Sequence, residues 1–311
     1  MLTFTVSHSA CNGYTLVRTE DAFAEVNFPG LPGLGASVTF VFDGHRGGEV
    51  AHAAARLAPD ITKRLFGDGG ADGAEHVLPR VIEGLHSAIE ASALPGGATC
   101  NATYIDQRGR LIAASLGDSQ TLVFRPSRPQ GFRCVFETTA QDCCDEGEAQ
   151  RLRALGLPVT EQMCRDAAGN LVPSGVFRCM GMMCMAALGD YDIDRPRGAI
   201  NRVPIVSSTL LEEGDVVVQC SDGCIEGVAR ANKMNIQSRP DIRIPEIARS
   251  LDELVCSRCD KVRAHGIAAH ITERQVDSML LMRGTTDRSV IYRFFDNQTV
   301  HATHVGSTCA C

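Results

Sequence analysis

Four aspartates stand at the ends of short apolar runs. Val38–Phe42 (VTFVF) stops at Asp43-Gly44, and DVVVQCS stops at Asp222-Gly223. Asp277 opens SMLLM, and Asp118 in SLGDSQ follows the run Leu111–Leu116. Runs of this length and composition predict buried strands. In an antiparallel sheet the end of one strand lies beside the start of its neighbour, so carboxylates distant in sequence can meet at one edge. A single Asp-Gly after a strand is ordinary turn chemistry. Four such cases in one chain point instead to a cluster. Carboxylates at close range repel unless cations neutralise them, and an oxygen-only ligand set selects magnesium or manganese over zinc or copper.

The surrounding pattern predicts the elements that would bring these residues together. Gly48–Leu57 reads as one helix and His76–Ile89 as a second, the latter with Val77, Leu78, Val81, Ile82, Leu85 and Ile89 on one face. Pro79 suits the first turn of that helix, where its missing N–H costs nothing. The glycine-rich piece 67–73 reads as a loop between the two, not a phosphate cradle, since no G-x-x-x-x-G-K-[ST] occurs. Short strands follow over Thr99–Ile105, Leu111–Leu116, Thr121–Phe124 and Cys134–Glu137, separated by turn-rich pieces. That spacing predicts an antiparallel meander, because parallel crossovers need a dozen or more residues. Glu146–Leu155 and Ile244–Val255 read as helices; Val203–Ser207, Asp215–Cys220, Ser278–Met282 and Val290–Phe294 read as strands. A single domain over residues 1–311, of α+β class, is the economical reading.

Composition narrows the function. With 311 residues, 44% hydrophobic and 22% charged, the chain has the balance of a globular protein with a sizeable core. A net charge of −7 argues against a nucleic-acid binder. The start, MLTFTVSHSACNG, has neither a basic nor a long apolar segment, so no secretory signal is expected. The most apolar stretch, Val176–Gly189, carries Arg178 and is too short to span a bilayer. The fourteen cysteines are then expected as reduced thiols in the cytoplasm, with the nucleus left open. Cys256 and Cys259 form a lone CxxC without a second ligand pair, which fits packing better than zinc. The terminal Cys309-Ala-Cys311 offers a weak route to lipid anchoring, without a CaaX form or a polybasic run.

Eight motifs in order resemble those of the PPM (protein phosphatase 2C) family of metal-dependent serine/threonine phosphatases. Asp43-Gly44-His45-Arg46-Gly47 is similar to its DGHxG element, and Thr19-Glu20-Asp21-Ala22 to its MEDA element. Gly97-Ala98-Thr99-Cys100 stands for GSTA, Leu116-Gly117-Asp118-Ser119 for GDSR, and Gln141-Asp142 with Glu148–Gly156 for the QDH stretch. Ala186–Asp190 resembles SRALGD, Cys220–Glu226 resembles CDGIWD, and Val276–Met279 resembles DNMT. The match covers residues 20 to 283.

This resemblance implies an antiparallel β-sandwich flanked by helices in α-β-β-α layers. It implies that Asp43 bridges two magnesium or manganese ions, that the Gly44 carbonyl binds one, and that Asp222 and Asp277 bind the other. Glu20 and Asp21 would orient water, and Asp118 with Asp222 would hold a weaker third ion. His45 would serve as the general acid. The implied substrates are phosphoserine and phosphothreonine in proteins. The sequence also departs from the family. Leu16 occupies the place of its phosphate-binding arginine, with Arg18 two residues nearer the acid pair and Arg46 a second candidate. Ala186, Ser278 and Glu226 replace an arginine, an asparagine and an aspartate. The intact ligands favour an active enzyme; the displaced arginine favours a pseudophosphatase that binds or regulates.

Overall fold

The computed structural model describes residues 2–11, 20–28, 37–69, 73–127, 131–165, 169–223, 247, 248, 251 and 298–307. Two antiparallel five-stranded sheets stack face to face. One has the order β13 (Ile205–Leu210), β7 (Arg110–Leu116), β6 (Cys100–Ile105), β3 (Ser37–Phe42), β2 (Ala22–Asn27). The other has the order β1 (Leu2–Cys11), β15 (Gln298–Ser307), β14 (Val216–Cys220), β8 (Gln120–Ser127), β9 (Gly131–Glu137). Helices α1 (Glu49–Gly69) and α2 (Ala74–Ser92) cover the first sheet. On the far side, helical residues Ile247, Ala248 and Leu251 pack on Leu122, Phe124, Val216, Val218 and Cys220. The α+β sandwich flanked by helices is therefore as the sequence predicts.

Period-2 alternation explains why these strands are buried on both faces. On β3, Val38, Phe40 and Phe42 join the core under α1 and α2, as do Cys100, Ala102 and Tyr104 on β6. The intervening Thr39, Asn101 and Thr103 face the other sheet, where Thr39 and Asn101 bond Gln219 of β14 and Thr103 bonds Thr121 of β8. β14 reads the same way, with Val216, Val218 and Cys220 outward to the helical layer and Val217 and Gln219 inward.

Three expectations are corrected. The first helix does not stop at Leu57: it continues through Pro59 to Gly69, into the stretch read as a loop, because Ala58, Ile61 and Phe66 extend its buried face. The second helix begins at Ala74, so Pro79 lies in its second turn rather than its first. The meander is split. β6–β7 belong to one sheet and β8–β9 to the other, so the chain crosses the sandwich at Gly117–Ser119. Gly117, at φ +103°, permits that crossing, and a Cβ there would lie 2.6 Å from Thr99 Cγ2 and 2.9 Å from the Ala186 carbonyl oxygen.

Other elements went unread: β1, β2, β15, and the hairpin of β10 (Val159–Arg165) and β11 (Leu171–Cys179). The helix α3 (Glu146–Ala154) falls where predicted, capped by Asp145, whose carboxylate accepts from the Glu148 N–H. The strands expected over 278–282 and 290–294, and the rest of the helix expected over 244–255, lie outside the described residues.

Candidate active site

Strand register carries the segment of Glu20 and Asp21 to the strand end that bears Asp43. Ala22 pairs with Phe42, and continuing that register sets Asp21 opposite Asp43 and Glu20 opposite Gly44. The Gly44 and Gly48 positions confirm the approach: a Cβ on Gly44 would lie 2.3 Å from the Glu20 carbonyl oxygen, and one on Gly48 would lie 3.1 Å from the Glu20 Cα. On the other sheet the last ladder pair is Cys220 with Gln120, which leaves Asp222 and Asp118 each two residues beyond it.

A hydrogen-bond chain joins the two sheets here. The Asp43 N–H donates to Thr99 Oγ1 at 3.2 Å, and the Thr99 N–H donates to the Asp43 carbonyl at 2.9 Å. Thr99 Oγ1 meets Ser119 Oγ at 2.7 Å, and Asn101 Nδ2 donates to the Ser119 carbonyl at 3.2 Å. Asp43 and the Asp118 turn are thus held at a fixed separation by three strand ends.

A small sheet braces the residues after Asp43. β4 (Gly44–His45), β5 (Gly97–Ala98) and β12 (Leu188–Gly189) pair through Gly44↔Ala98, His45↔Gly97, Leu188↔Ala98 and Gly189↔Gly97. Three motifs far apart in sequence meet in six residues. The sheet delivers Asp190, fully buried, to the DGHR turn. His45 Nε2 lies 2.6 Å from Asp190 Oδ2, and Arg46 Nη1 donates to Asp190 Oδ1 at 3.0 Å. Arg46 also pairs with Asp192 through both terminal nitrogens. That pairing raises the Arg46 pKa and holds the exposed Asp192 carboxyl below the usual carboxylate range.

Asp21 and Asp118 are buried, at 1% and 7% exposure, while Glu20, Asp43 and Asp222 are half-buried. The acidic residues named here offer only oxygen, the donor type that suits a hard cation such as magnesium or manganese. Among the described residues no group of three or more Asp, Glu, His or Cys side chains is placed to hold a metal ion. Asp277, Arg18, Leu16, Ser278 and Glu226 lie outside the described residues, as do Cys256, Cys259, Cys309 and Cys311.

Comparison with known proteins decides the family. Residues 35–263 match protein phosphatase 2C. The chain belongs to the protein phosphatase 2C family. No curated protein matches it. Among solved structures, it is similar to a serine-threonine phosphatase 2C from Toxoplasma gondii at TM-score 0.67 and 14% identity, covering 96% of this chain and 94% of that one. It is also similar to a C. elegans sex-determining protein at TM-score 0.64 and 22% identity. That likeness covers 96% of this chain, which spans 64% of the worm chain. The catalytic domain of the phosphatase PstP, solved with two manganese ions, aligns at TM-score 0.55 and 17% identity over 99% of this chain and 100% of that one. These likenesses show the shared fold. Asp190, which contacts both His45 and Arg46, is a residue that sequence reading left without a role. Its only signal is its place after Ala186–Gly189.

Proposed function

We propose that this protein is a metal-dependent phosphatase acting on phosphoserine and phosphothreonine in proteins. The observation that carries this is the protein phosphatase 2C match over residues 35–263, supported by the register that sets Asp21 opposite Asp43 and by Asp118 and Asp222 each standing two residues past the Gln120–Cys220 pair. Asp43, the Gly44 carbonyl, Asp222 and Asp277 would hold two magnesium or manganese ions, with Asp118 and Asp222 holding a weaker third. Bound there, divalent cations supply a nucleophile from water near neutral pH and offset charge on the phosphoryl oxygens. Glu20 and Asp21 orient water for in-line attack. His45 gives a proton to the departing serine or threonine oxygen. Arg18 grips the phosphoryl group, a role that Arg46, committed to Asp190 and Asp192, fills less readily.

A second reading is a pseudophosphatase, favoured by Leu16 at the family's arginine position and by the engagement of Arg46. Phosphate release from phosphopeptides, measured with manganese or magnesium and with chelator, separates the two. Metal-dependent release that Asp43→Asn lowers by about two to four orders of magnitude is expected, the range of a lost activating group. No metal-dependent release from the wild-type protein would overturn the enzyme reading. Preference for a small phosphate ester over phosphopeptides would overturn the assignment of substrate.

A further inference from the structure

We propose that Asp190 is a positioning residue for this reaction: it holds His45 by Nε2, so that Nδ1 is the nitrogen that delivers the proton. The inference rests on the reading of His45 as the general acid.

The contact is built rather than incidental. Asp190 is fully buried at the end of the three-stranded sheet, and its N–H donates to the Gly96 carbonyl at 2.8 Å. Its backbone and that of Arg46 are both left-handed, at φ 57° and 60°, a conformation that residues with a Cβ enter at a cost. Those two turns let one carboxylate meet His45 with one oxygen and Arg46 with the other. Gly97 lies across the pair. A Cβ there would stand 2.2 Å from Asp190 Oδ2 and 2.5 Å from His45 Nε2, so the pair fills the space a side chain would take.

The consequence for His45 is chemical. A carboxylate accepts, so Nε2 must carry the hydrogen in the 2.6 Å contact. In the imidazolium both nitrogens carry one. As the P–O bond breaks, its electron pair passes to the leaving oxygen, which takes the proton from Nδ1. The ring is left as the neutral Nε2–H tautomer, the form that Asp190 already binds. Proton transfer then ends on a tautomer that needs no reorientation, as with other imidazoles oriented by a carboxylate.

General-acid assistance matters most for poor leaving groups, which gives a readout that simple destabilisation would not move. Turnover is compared on a phosphoserine peptide and on p-nitrophenyl phosphate, at saturating manganese, for wild type, His45→Gln and Asp190→Asn. Both variants are expected to lose at least about tenfold more on the peptide than on the aryl ester. A selective loss in His45→Gln with an equal loss on both substrates in Asp190→Asn overturns the role of Asp190 and leaves the acid intact. No selective loss in His45→Gln overturns the acid, and the inference with it, as does wild type that releases no phosphate. The tautomer itself is read in the wild-type protein, so the test survives if Asp190→Asn fails to fold. Long-range ¹H–¹⁵N correlation spectra, with His45 assigned through His45→Gln, should show the neutral ring protonated at Nε2. A neutral ring protonated at Nδ1 would refute the proposal.

Discussion

Arg46 shows how a residue's neighbours redirect its chemistry. Its place inside the DGHR turn made it a candidate for gripping phosphate, but Asp190 and Asp192 take its guanidinium. Arg18, two residues before Glu20 in the sequence, is the other candidate. A charge-assisted hydrogen bond contributes about 1.5–3 kcal/mol, or roughly tenfold or more in binding. Arg18→Met is therefore expected to raise the inhibition constant of inorganic phosphate by about tenfold or more. Arg46→Met should lower turnover with little change in that constant, because it acts through Asp190. Steady-state inhibition of both variants checks this, and a reversed pattern would return the grip to Arg46. Sequence could name both arginines. It could not say which was occupied, since Asp190 and Asp192 lie more than a hundred residues away.

At the scale of elements, what locks the two sheets is polar. Asn101 Nδ2 donates to Ser115 Oγ and the Ser119 carbonyl, and its Oδ1 accepts from Thr121 Oγ1 and Gln219 Nε2. Gln219 Nε2 also donates to the Asn101 carbonyl, and Gln219 Oε1 accepts from Thr39 Oγ1. All of these groups are buried. A fully paired network of this kind specifies one register, because any slip strands its members. Asn101→Ala would leave Gln219, Thr121 and Ser115 short of partners, at about 1–3 kcal/mol for a stranded group and more when several are affected. Denaturant unfolding should show a loss of about 3 kcal/mol or more. A loss within about 0.5 kcal/mol would mean that water or rearrangement replaces the lost bonds. The strands that carry these residues were legible as apolar runs. The partition of the meander between two sheets was not, because a turn of the same length can return a strand beside its neighbour or send it across.

At the scale of the whole molecule, four of the described cysteines behave as core residues. Cys100, Cys143, Cys179 and Cys220 are buried free thiols. Burial raises the Cys100 thiol and pushes Cys143 up to about 12. The thiolate is the reactive form, so both should resist alkylation near pH 8 until the protein unfolds. Mass spectrometry after iodoacetamide treatment of native and denatured protein would show it, and rapid labelling of Cys100 in the native state would contradict this packing. Among the described residues no helix is long and apolar enough to cross a membrane.

By itself the sequence determined the carboxylates, the apolar runs that end at them, and the order of motifs that marks the family. These are local properties, because a strand's alternation and a turn's composition are written in neighbouring residues. Only the tertiary structure decided which motifs touch. Register sets Asp21 opposite Asp43 and leaves Asp222 and Asp118 each two residues past the Cys220–Gln120 pair, and the three-stranded sheet brings Asp190 to His45. Those contacts depend on which strands pair and how the chain crosses at Gly117. That choice is made by burying both faces of two sheets at once, a condition no single segment records.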